Sequence, residues 1–167
     1  GCSRQDAKAH TFKPLYGGVS GTEDQKRYYN AFKEKYNGVT KWHEELQKHA
    51  VMKKHIRLPS GRQYAFPQAR WTDWGAATDR TAICNYPVQG FATADLLPMS
   101  LILLDRKVRE LGMKSVICNT VHDSIVMDVY PSEEKQCIDV MAECMLAIPM
   151  ESKERYGIEY NMPVGIE

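Results

Sequence analysis

Four side chains recur at every fourth position near the start of the chain: Arg4, Lys8, Phe12 and Tyr16. In an α-helix each residue turns the chain by about 100°, so a step of four drifts by only about 40°. The four side chains therefore form one slowly turning stripe, which is about 18 Å long because each residue rises about 1.5 Å. The spacing predicts a helix that carries these four side chains on one face.

The chemistry of this stripe changes along its length. Two cations lie at one end and two aromatic rings lie at the other. That order suits a triphosphate followed by a sugar and a base. The pattern also fits an ordinary helix, because Arg/Lys pairs at this spacing are common on solvated faces and aromatic pairs are common in cores. Both interpretations stay open on the stripe alone.

The charged residues are divided unevenly along the chain. The net charge is +1, but residues 1–70 carry 14 Lys and Arg against 6 Asp and Glu, and residues 71–167 carry 8 against 15. A basic part suits a polyanion and an acidic part suits cations, although two oppositely charged parts also attract each other. Charge alone does not decide between these two explanations.

Length and composition are those of an ordinary soluble globular chain. The 167 residues are 43% hydrophobic and 26% charged, which is enough for a sizeable core. No uninterrupted apolar run approaches the roughly 18 residues that a membrane span needs, and the start of the chain lacks the order of a signal peptide. The five cysteines include no C-x-x-C pair and favour neither a disulfide framework nor a zinc cage. We therefore expect a cytoplasmic protein with no membrane partner.

Three helices are predicted before residue 56. The first is expected to bend at Pro14 and to end at Gly17-Gly18. A capping box, Thr22-x-x-Gln25, opens a second helix to about residue 36, and Gly38 separates it from a third helix over 39–55. The histidines of this region are too scattered for a metal site and are predicted to be solvated or at helix ends. They are His43, His49 and His55.

Two hairpins are predicted. Residues 56–67 have Pro-Ser-Gly between two short extended runs with basic residues on both arms, among them Arg62. Residues 115–121 and 124–130 are rich in β-branched side chains and are separated by His122-Asp123. A turn holds a carboxylate outward on a rigid support, where it can bind a metal ion, although an exposed Asp in a turn is more often only a turn residue.

The remaining segments are predicted to be mainly helical. A helix precedes Asn85-Tyr86-Pro87, and a long helix from residue 88 to 111 begins beside Gln89, bends at Pro98 and stops at Gly112. The amide of Gln89 can donate to a base edge or satisfy a neighbouring loop. A last helix from residue 132 to about 148 precedes an extended stretch over 158–166. Residues 68–78, which contain two tryptophans, show no clear pattern and are assigned no role.

Three motifs together resemble the polymerase domain of family A DNA polymerases, a group that includes bacterial and phage enzymes. They are R-x-x-x-K-x-x-x-F-x-x-x-Y-G at 4–17, N-x-P-V-Q-G at 85–90 and V-H-D at 121–123. The resemblance covers almost the whole chain, because Gly61-Arg62 with Phe66-Pro67 and the closing Pro163-Val164-Gly165-Ile166 are also similar. The resemblance implies an α+β protein with part of the right-hand fold of polymerases. Residues 1–70 would form fingers helices and a basic hairpin, and residues 71–167 a palm part with a small antiparallel hairpin and packing helices.

The resemblance implies a nucleotide-binding role for the whole stripe. Arg4 and Lys8 would bind the incoming triphosphate, and Lys8 would stabilise charge on the leaving pyrophosphate or protonate it. Phe12 would pack beside the sugar, where a Phe goes with poor acceptance of dideoxynucleotides. Tyr16 would stack near the nascent base pair and help to exclude a ribose.

The other two motifs would bind DNA and metal. Asn85 and Gln89 would contact template and primer, His122 would contact the primer terminus, and Asp123 would be a catalytic magnesium ligand. Arg62 on the basic hairpin is expected to follow the phosphate backbone. The reaction implied is attack of a primer 3′-hydroxyl on the α-phosphate of a dNTP, assisted by two Mg²⁺ ions.

Two departures from the family pattern matter for function. Ser124 stands where the family usually has Glu after the metal-binding Asp. The family's other metal-binding Asp lies upstream of the first helix, and one carboxylate cannot hold two metal ions. We therefore expect the chain to be the C-terminal piece of a polymerase, either completed by another polypeptide or truncated from a longer one, with an upstream fragment supplying the second Asp. Primer-template DNA and dNTP are its other expected partners.

Two further functions remain as alternatives. A single-subunit phage-type RNA polymerase shares the spacing of Arg4, Lys8 and Tyr16 and often has His-Asp-Ser, whereas Phe12 and the P-V-Q-G sequence favour DNA synthesis. The second alternative is a fragment that binds nucleic acid without catalysing a reaction.

Overall fold

The chain is mainly helical and has two small antiparallel hairpins. The computed structural model describes residues 3–16 and 21–166. In chain order its elements are α1 (Arg4–Leu15), α2 (Glu23–Lys35), α3 (Asn37–Lys53), β1 (His55–Arg57), β2 (Gln63–Ala65), α4 (Arg80–Phe91), a π-helical turn (Ala92–Leu96), α5 (Leu97–Glu110), β3 (Val116–Val121), β4 (Ser124–Asp128), a 3₁₀ turn (Pro131–Glu133), α6 (Glu134–Leu146) and α7 (Ile148–Tyr156). The predicted α+β class with small hairpins is confirmed.

The structure divides into two compact units. Unit 1 comprises Gly1–Leu58 and Arg62–Val88, and unit 2 comprises Pro59–Gly61 and Gln89–Glu167. The boundary falls within α4, whereas the sequence placed the division between fingers and palm at residue 70. The names fingers and palm for the two parts stay a prediction.

Unit 1 packs around a small apolar cluster. Its buried members are Ala50, Ile56, Phe66, Ala69, Ala77 and Ile83. The predicted first hairpin is confirmed, with β1 antiparallel to β2 and His55 paired with Ala65. The capping box is confirmed too: the Thr22 amide donates to Gln25 Oε1 at 3.1 Å, and the Gln25 amide donates to Thr22 Oγ1 at 3.4 Å.

Two details of unit 1 differ from the prediction, and two further predictions for α1 are not tested. The break between α2 and α3 lies at Tyr36, because its φ of −112° and ψ of 54° are not helical, and Gly38 lies in the first turn of α3. His43 is buried rather than solvated, since it lies on the face of α3 that packs inward. The predicted stop at Gly17-Gly18 falls outside the described residues. α1 continues through Pro14 to Leu15, and a bend there stays a prediction.

The predicted interruption at Asn85-Tyr86-Pro87 is wrong. Helix α4 continues through Pro87, although proline disfavours helical geometry in the residue before it. That residue, Tyr86, packs its ring against Tyr64 and Phe66 at centroid distances of 5.2 and 5.9 Å. Tertiary packing thus outweighs the local preference.

A π-helical turn precedes Pro98, and the bend predicted at Pro98 stays a prediction. The amide of Leu97 donates to the carbonyl of Ala92, five residues earlier. Pro98 then lies in the first turn of α5, where an amide hydrogen is not needed for the helix. The end of this helix near Gly112 is as predicted, with Gly112 at a φ of 62°.

Unit 2 packs α5 against α6 and the second hairpin. Its buried cluster comprises Leu104, Val108, Val140 and Cys144. By length and composition alone the helical segment Arg80–Glu110 is able to cross a membrane. Core helices of soluble proteins pass the same test, and the last turns of this segment contribute to the cluster.

The C-terminal region contains one helix more than predicted. A turn at Ala147 separates α6 from α7, whose first turn contains Pro149, a favourable position for proline. Residues 158–166 form no strand in the described structure, so the predicted extended stretch is unpaired.

Candidate nucleotide and nucleic-acid site

Helix α1 carries the predicted stripe as a continuous surface. The ammonium of Lys8 lies 5.6 Å from the centroid of the Phe12 ring, within cation–π range. The rings of Phe12 and Tyr16 are stacked, with centroids 5.9 Å apart and planes inclined by 19°. Arg4 is exposed at the start of the same helix. The structure thus brings Lys8, Phe12 and Tyr16 into contact along one face.

The stripe is accessible rather than part of a core. Phe12 is 41% exposed, Lys8 is exposed and Tyr16 is partly buried. α1 packs against α2, which begins at the capping box. The exposed ring of Phe12 thus lies between a cation and a second ring, and such groups can pack against a planar or sugar-like ligand.

The second hairpin carries His122 and Asp123 at its tip. β3 and β4 are antiparallel, with Val121 paired with Ser124 across the two-residue turn. His122 has a φ of 57°, in the left-handed region that costs a non-glycine residue about 1 kcal/mol. Both turn side chains are exposed. The imidazole and the carboxylate are therefore presented outward from a paired ladder.

Ser124, the departure from the family pattern, has a local structural role. Its hydroxyl donates to the carbonyl of Val121 at 2.8 Å, which closes the turn. A serine here adds no second carboxylate to the tip of the hairpin. Asp123 is consequently the acidic side chain that the turn presents.

The base of this hairpin is held by one carboxylate. Glu133 accepts hydrogen bonds from the amides of Lys114 and Ser115 at 3.0 and 2.9 Å and from the hydroxyl of Ser115 at 2.6 Å. The hydroxyl oxygen of Ser115 also accepts from the amide of Tyr130 at 2.9 Å. The network therefore joins the chain just before β3 to the chain just after β4.

The same hydrogen bonds stabilise the charged form of Glu133. The Ser115 hydroxyl, followed by the amides of Lys114 and Ser115, lowers the pKa of the Glu133 carboxyl below its ordinary value. From the sequence, Glu133 was predicted only to lie at the start of the last helix. Its partners lie 18 and 19 residues earlier, and the local sequence carries no signal for them.

A buried polar network supports the helices of unit 1. The guanidinium of Arg80 donates to the hydroxyl of Tyr29 at 2.8 Å, and Gln47 Oε1 accepts from the amide of Ala77 at 3.1 Å. Burial, and then the nearby charge of Arg80, lowers the pKa of His43. The pairs are separated by 51 and 30 residues, and the sequence analysis missed them.

The predicted DNA-binding residues lie on separate elements. Arg62 is exposed beside β2, and Asn85 is half-buried on α4. The Oδ1 atom of Asn85 is buried without a hydrogen-bond partner among the described atoms. Gln89 is exposed on the same helix. Arg62 and Asn85 belong to unit 1, with the stripe, whereas Gln89 belongs to unit 2, with the His122-Asp123 turn.

A magnesium site is only partly provided by the described residues. A carboxylate is a suitable ligand for Mg²⁺, and the exposed position of Asp123 fits that use. Residues 3–16 and 21–166 contain no group of three or more His, Cys, Asp or Glu side chains placed to hold a metal ion. The described residues therefore form no complete metal site by themselves, and a metal-binding role for Asp123 stays a prediction.

Known proteins resemble the chain over most of its length. The model of DNA polymerase family A matches residues 2–162. DNA polymerase I of Lactococcus lactis subsp. cremoris (strain MG1363) is 33% identical over 92% of this chain and 19% of its own length. The DNA polymerase of Bacillus phage SP01 is 35% identical over 70% of this chain and 13% of its own length. The chain spans about a fifth of the length of the bacterial relatives that it matches.

A solved structure has the same fold. It is the POL domain of Pol1 from M. smegmatis in complex with DNA primer-template and dNTP, and it superposes with a TM-score of 0.76. The match covers 87% of this chain and 27% of that chain at 22% identity, and it confirms a partial right-hand polymerase fold. Together with the three motifs and a family match over nearly the whole sequence, this shows that the chain belongs to DNA polymerase family A.

Proposed function

We propose that the chain is part of a template-directed DNA polymerase that transfers dNMP from a dNTP to a primer 3′-hydroxyl. The observation that carries this proposal is the exposed surface of Lys8, Phe12 and Tyr16 in a chain that belongs to family A. A cation followed by two stacked rings matches the order of phosphate, sugar and base in a nucleotide.

The cations of α1 act on the triphosphate. Arg4 binds its oxygens, and Lys8 stabilises the negative charge that develops on the leaving pyrophosphate, to which it can also donate a proton. Phe12 packs beside the sugar. Tyr16 stacks near the nascent base pair and excludes a ribose.

The tip of the second hairpin acts at the primer terminus. His122 contacts the terminal nucleotide, and Asp123 is one ligand of the divalent metal site, with Mg²⁺ as the proposed ion. A bound pair of such ions supplies activation of the attacking hydroxyl and stabilisation of the leaving oxygen. The described residues contain no group of three or more candidate ligands, and the proposal assigns the second carboxylate to an upstream part of the polymerase.

Template and primer are bound by groups outside these two elements. Asn85 offers a buried amide oxygen that has no described partner, and Gln89 offers an exposed amide. Arg62 is exposed on the basic hairpin, where it follows the phosphate backbone. Since DNA synthesis takes place in the cytosol of a bacterium or of a phage-infected cell, we place the protein there.

Primer extension with the chain and the missing upstream segment tests this function. The reconstituted enzyme should extend a primer with dNTPs in the presence of Mg²⁺ and should use NTPs poorly, because Phe12 and Tyr16 line the sugar position. A preference for NTPs would identify an RNA polymerase instead.

A second candidate function is a fragment that binds nucleic acid without catalysis, since the described residues do not form a complete metal site by themselves. That function predicts salt-dependent binding to primer-template. It also predicts no Mg²⁺-dependent extension, even after the upstream segment is added.

A further inference from the structure

The segment between β2 and α4 forms a stiff loop with two exposed tryptophans, which we call the Trp loop (residues 70–78). Trp74 at its tip is 93% exposed and Trp71 is 45% exposed. Most large apolar side chains avoid this degree of exposure, and contiguous exposed apolar surface marks interaction sites. Neither the stripe nor the hairpin tip uses this segment.

Hydrogen bonds fix the conformation of the Trp loop. The amide of Thr78 donates to the carbonyl of Arg70 at 2.9 Å, and the amide of Arg70 donates to the hydroxyl of Thr78 at 3.1 Å. Trp71 and Ala77 form an isolated antiparallel bridge. Nearer the tip, both the amide and the hydroxyl of Thr72 donate to the carbonyl of Ala76, at 2.8 and 2.7 Å. The exposure of Trp74 is therefore a feature of an ordered loop.

The base of the Trp loop is tied to the core of unit 1. Ala69 and Ala77 belong to the buried apolar cluster. The amide of Ala77 donates to Gln47 Oε1 at 3.1 Å. A binding group on such a support loses little conformational freedom when it meets a ligand.

Two cations lie at the base of the Trp loop, and two exposed acidic residues, Asp73 and Asp79, lie in it and directly after it. Arg70 is exposed at the base of the loop, and the Lys54 ammonium donates to the carbonyl of Ala69 next to it. A tryptophan face beside cations fits an unpaired nucleic-acid strand, because bases stack on aromatic rings and phosphates pair with cations.

We propose that the Trp loop is a binding site for single-stranded DNA, in which a base stacks on Trp74 and Arg70 pairs with the phosphate backbone. We take the strand to be the unpaired part of the template, and only this identification rests on the proposed function. A duplex hides its base faces, so the site prefers single strands to blunt duplexes.

Anisotropy titration of a fluorescently labelled oligo(dT) strand, and of a labelled blunt duplex, with the 167-residue chain tests this site. The single strand should bind more tightly than the duplex. Trp74→Ala should raise the Kd for oligo(dT) by about 5- to 150-fold, the loss typical of one base stack. The slope of log K against log salt should stay the same, because no phosphate contact is removed.

Two variants separate stacking from charge. Arg70→Ala should reduce the salt slope by about 0.7, the value for one phosphate contact on a single strand. Trp74→Phe keeps an aromatic ring and should recover part of the affinity, which also excludes a folding defect as the cause. Met52→Ala is the matched control, because Met52 is 75% exposed in the same unit and should leave the Kd unchanged.

A Kd for Trp74→Ala within twofold of the wild type, or tighter binding to the duplex, would overturn the inference. Primer extension by the reconstituted polymerase separates this failure from that of the proposed function. Extension combined with Trp74-independent binding would reject only the Trp loop site. Trp74-dependent binding without extension would reject only the polymerase proposal.

Discussion

Helix α1 and the β3–β4 hairpin hold their proposed functional side chains in different ways. On α1 the ordering is local: Lys8 meets Phe12 and Phe12 meets Tyr16, one helical turn apart. On the hairpin the tip residues are exposed, and long-range hydrogen bonds that Glu133 accepts hold the base of the ladder. The stripe is thus supported along its whole length by the helix that carries it, whereas the position of Asp123 depends on contacts at the other end of its hairpin.

Removing the carboxylate at the hairpin tip should have the largest effect. Asp123→Asn keeps the shape of the side chain but removes the charge that a metal ligand needs, so primer extension by the reconstituted polymerase should fall at least about 10³-fold. Asp128→Asn is the matched control, because Asp128 is exposed at the far end of β4, the strand that begins directly after Asp123. Normal extension by the Asp123 variant would remove the hairpin from the active site.

Removing the cation of the stripe should have the next largest effect. Lys8→Ala should lower kcat for dNTP incorporation by about 10²- to 10³-fold, the size expected when a group that stabilises developing charge is lost. The Kd for primer-template should stay nearly the same, since the ammonium acts on the pyrophosphate. Single-turnover incorporation and DNA binding measure the two quantities. Lys41→Ala, at an exposed position of α3, is the control for the loss of one positive charge.

The contribution of Glu133, which anchors the hairpin, to the stability of the fold should depend on pH. The pKa of Glu133 is lowered in the folded state from an ordinary value of 4.5. Its ionised form therefore stabilises the fold at pH values above about 4.5, and this contribution is lost as the pH falls through the folded-state pKa. Glu133→Gln should lower Tm at pH 7. It should change Tm little at pH values below the folded-state pKa of Glu133, where the carboxyl is protonated.

Thermal unfolding followed by circular dichroism at several pH values tests the anchor. Glu134→Gln is the control, since Glu134 is exposed at the next position. Equal loss of Tm in the Glu133 variant at all pH values would show that packing, not the charged hydrogen bonds, explains its role.

The smallest effect should come from the support of α1. Thr22→Ala removes the side-chain cap of α2, against which α1 packs, and should cost about 1 kcal/mol of stability. Amide hydrogen exchange should be faster in the first turn of α2. Exchange in the β3–β4 hairpin should not change, because its anchor lies in the other unit.

The same contrast explains what the sequence analysis found and what it missed. The stripe depends on a spacing of four residues, the capping box at Thr22 on a spacing of three, and the two hairpins on connections of five and two residues. Each is present where it was predicted. The anchor at Glu133 and the Arg80–Tyr29 hydrogen bond join residues 18 or more positions apart, which no local pattern encodes.

The errors have the same origin. Local preference at Tyr86-Pro87 predicted a break, but the aromatic packing of Tyr86 keeps α4 continuous. His43 was predicted to be solvated, but it is buried in the same unit as Arg80. In both cases the fold supplied contacts from distant residues that outweighed the local signal.

The most direct test of the account is the metal dependence of Asp123→Cys in the reconstituted polymerase. A thiolate is a poor ligand for Mg²⁺ and a better one for softer ions. If Asp123 binds the catalytic metal, single-nucleotide incorporation should be lost in Mg²⁺ and partly restored in Mn²⁺ or Cd²⁺. Incorporation in Mg²⁺ at the wild-type rate would contradict the account.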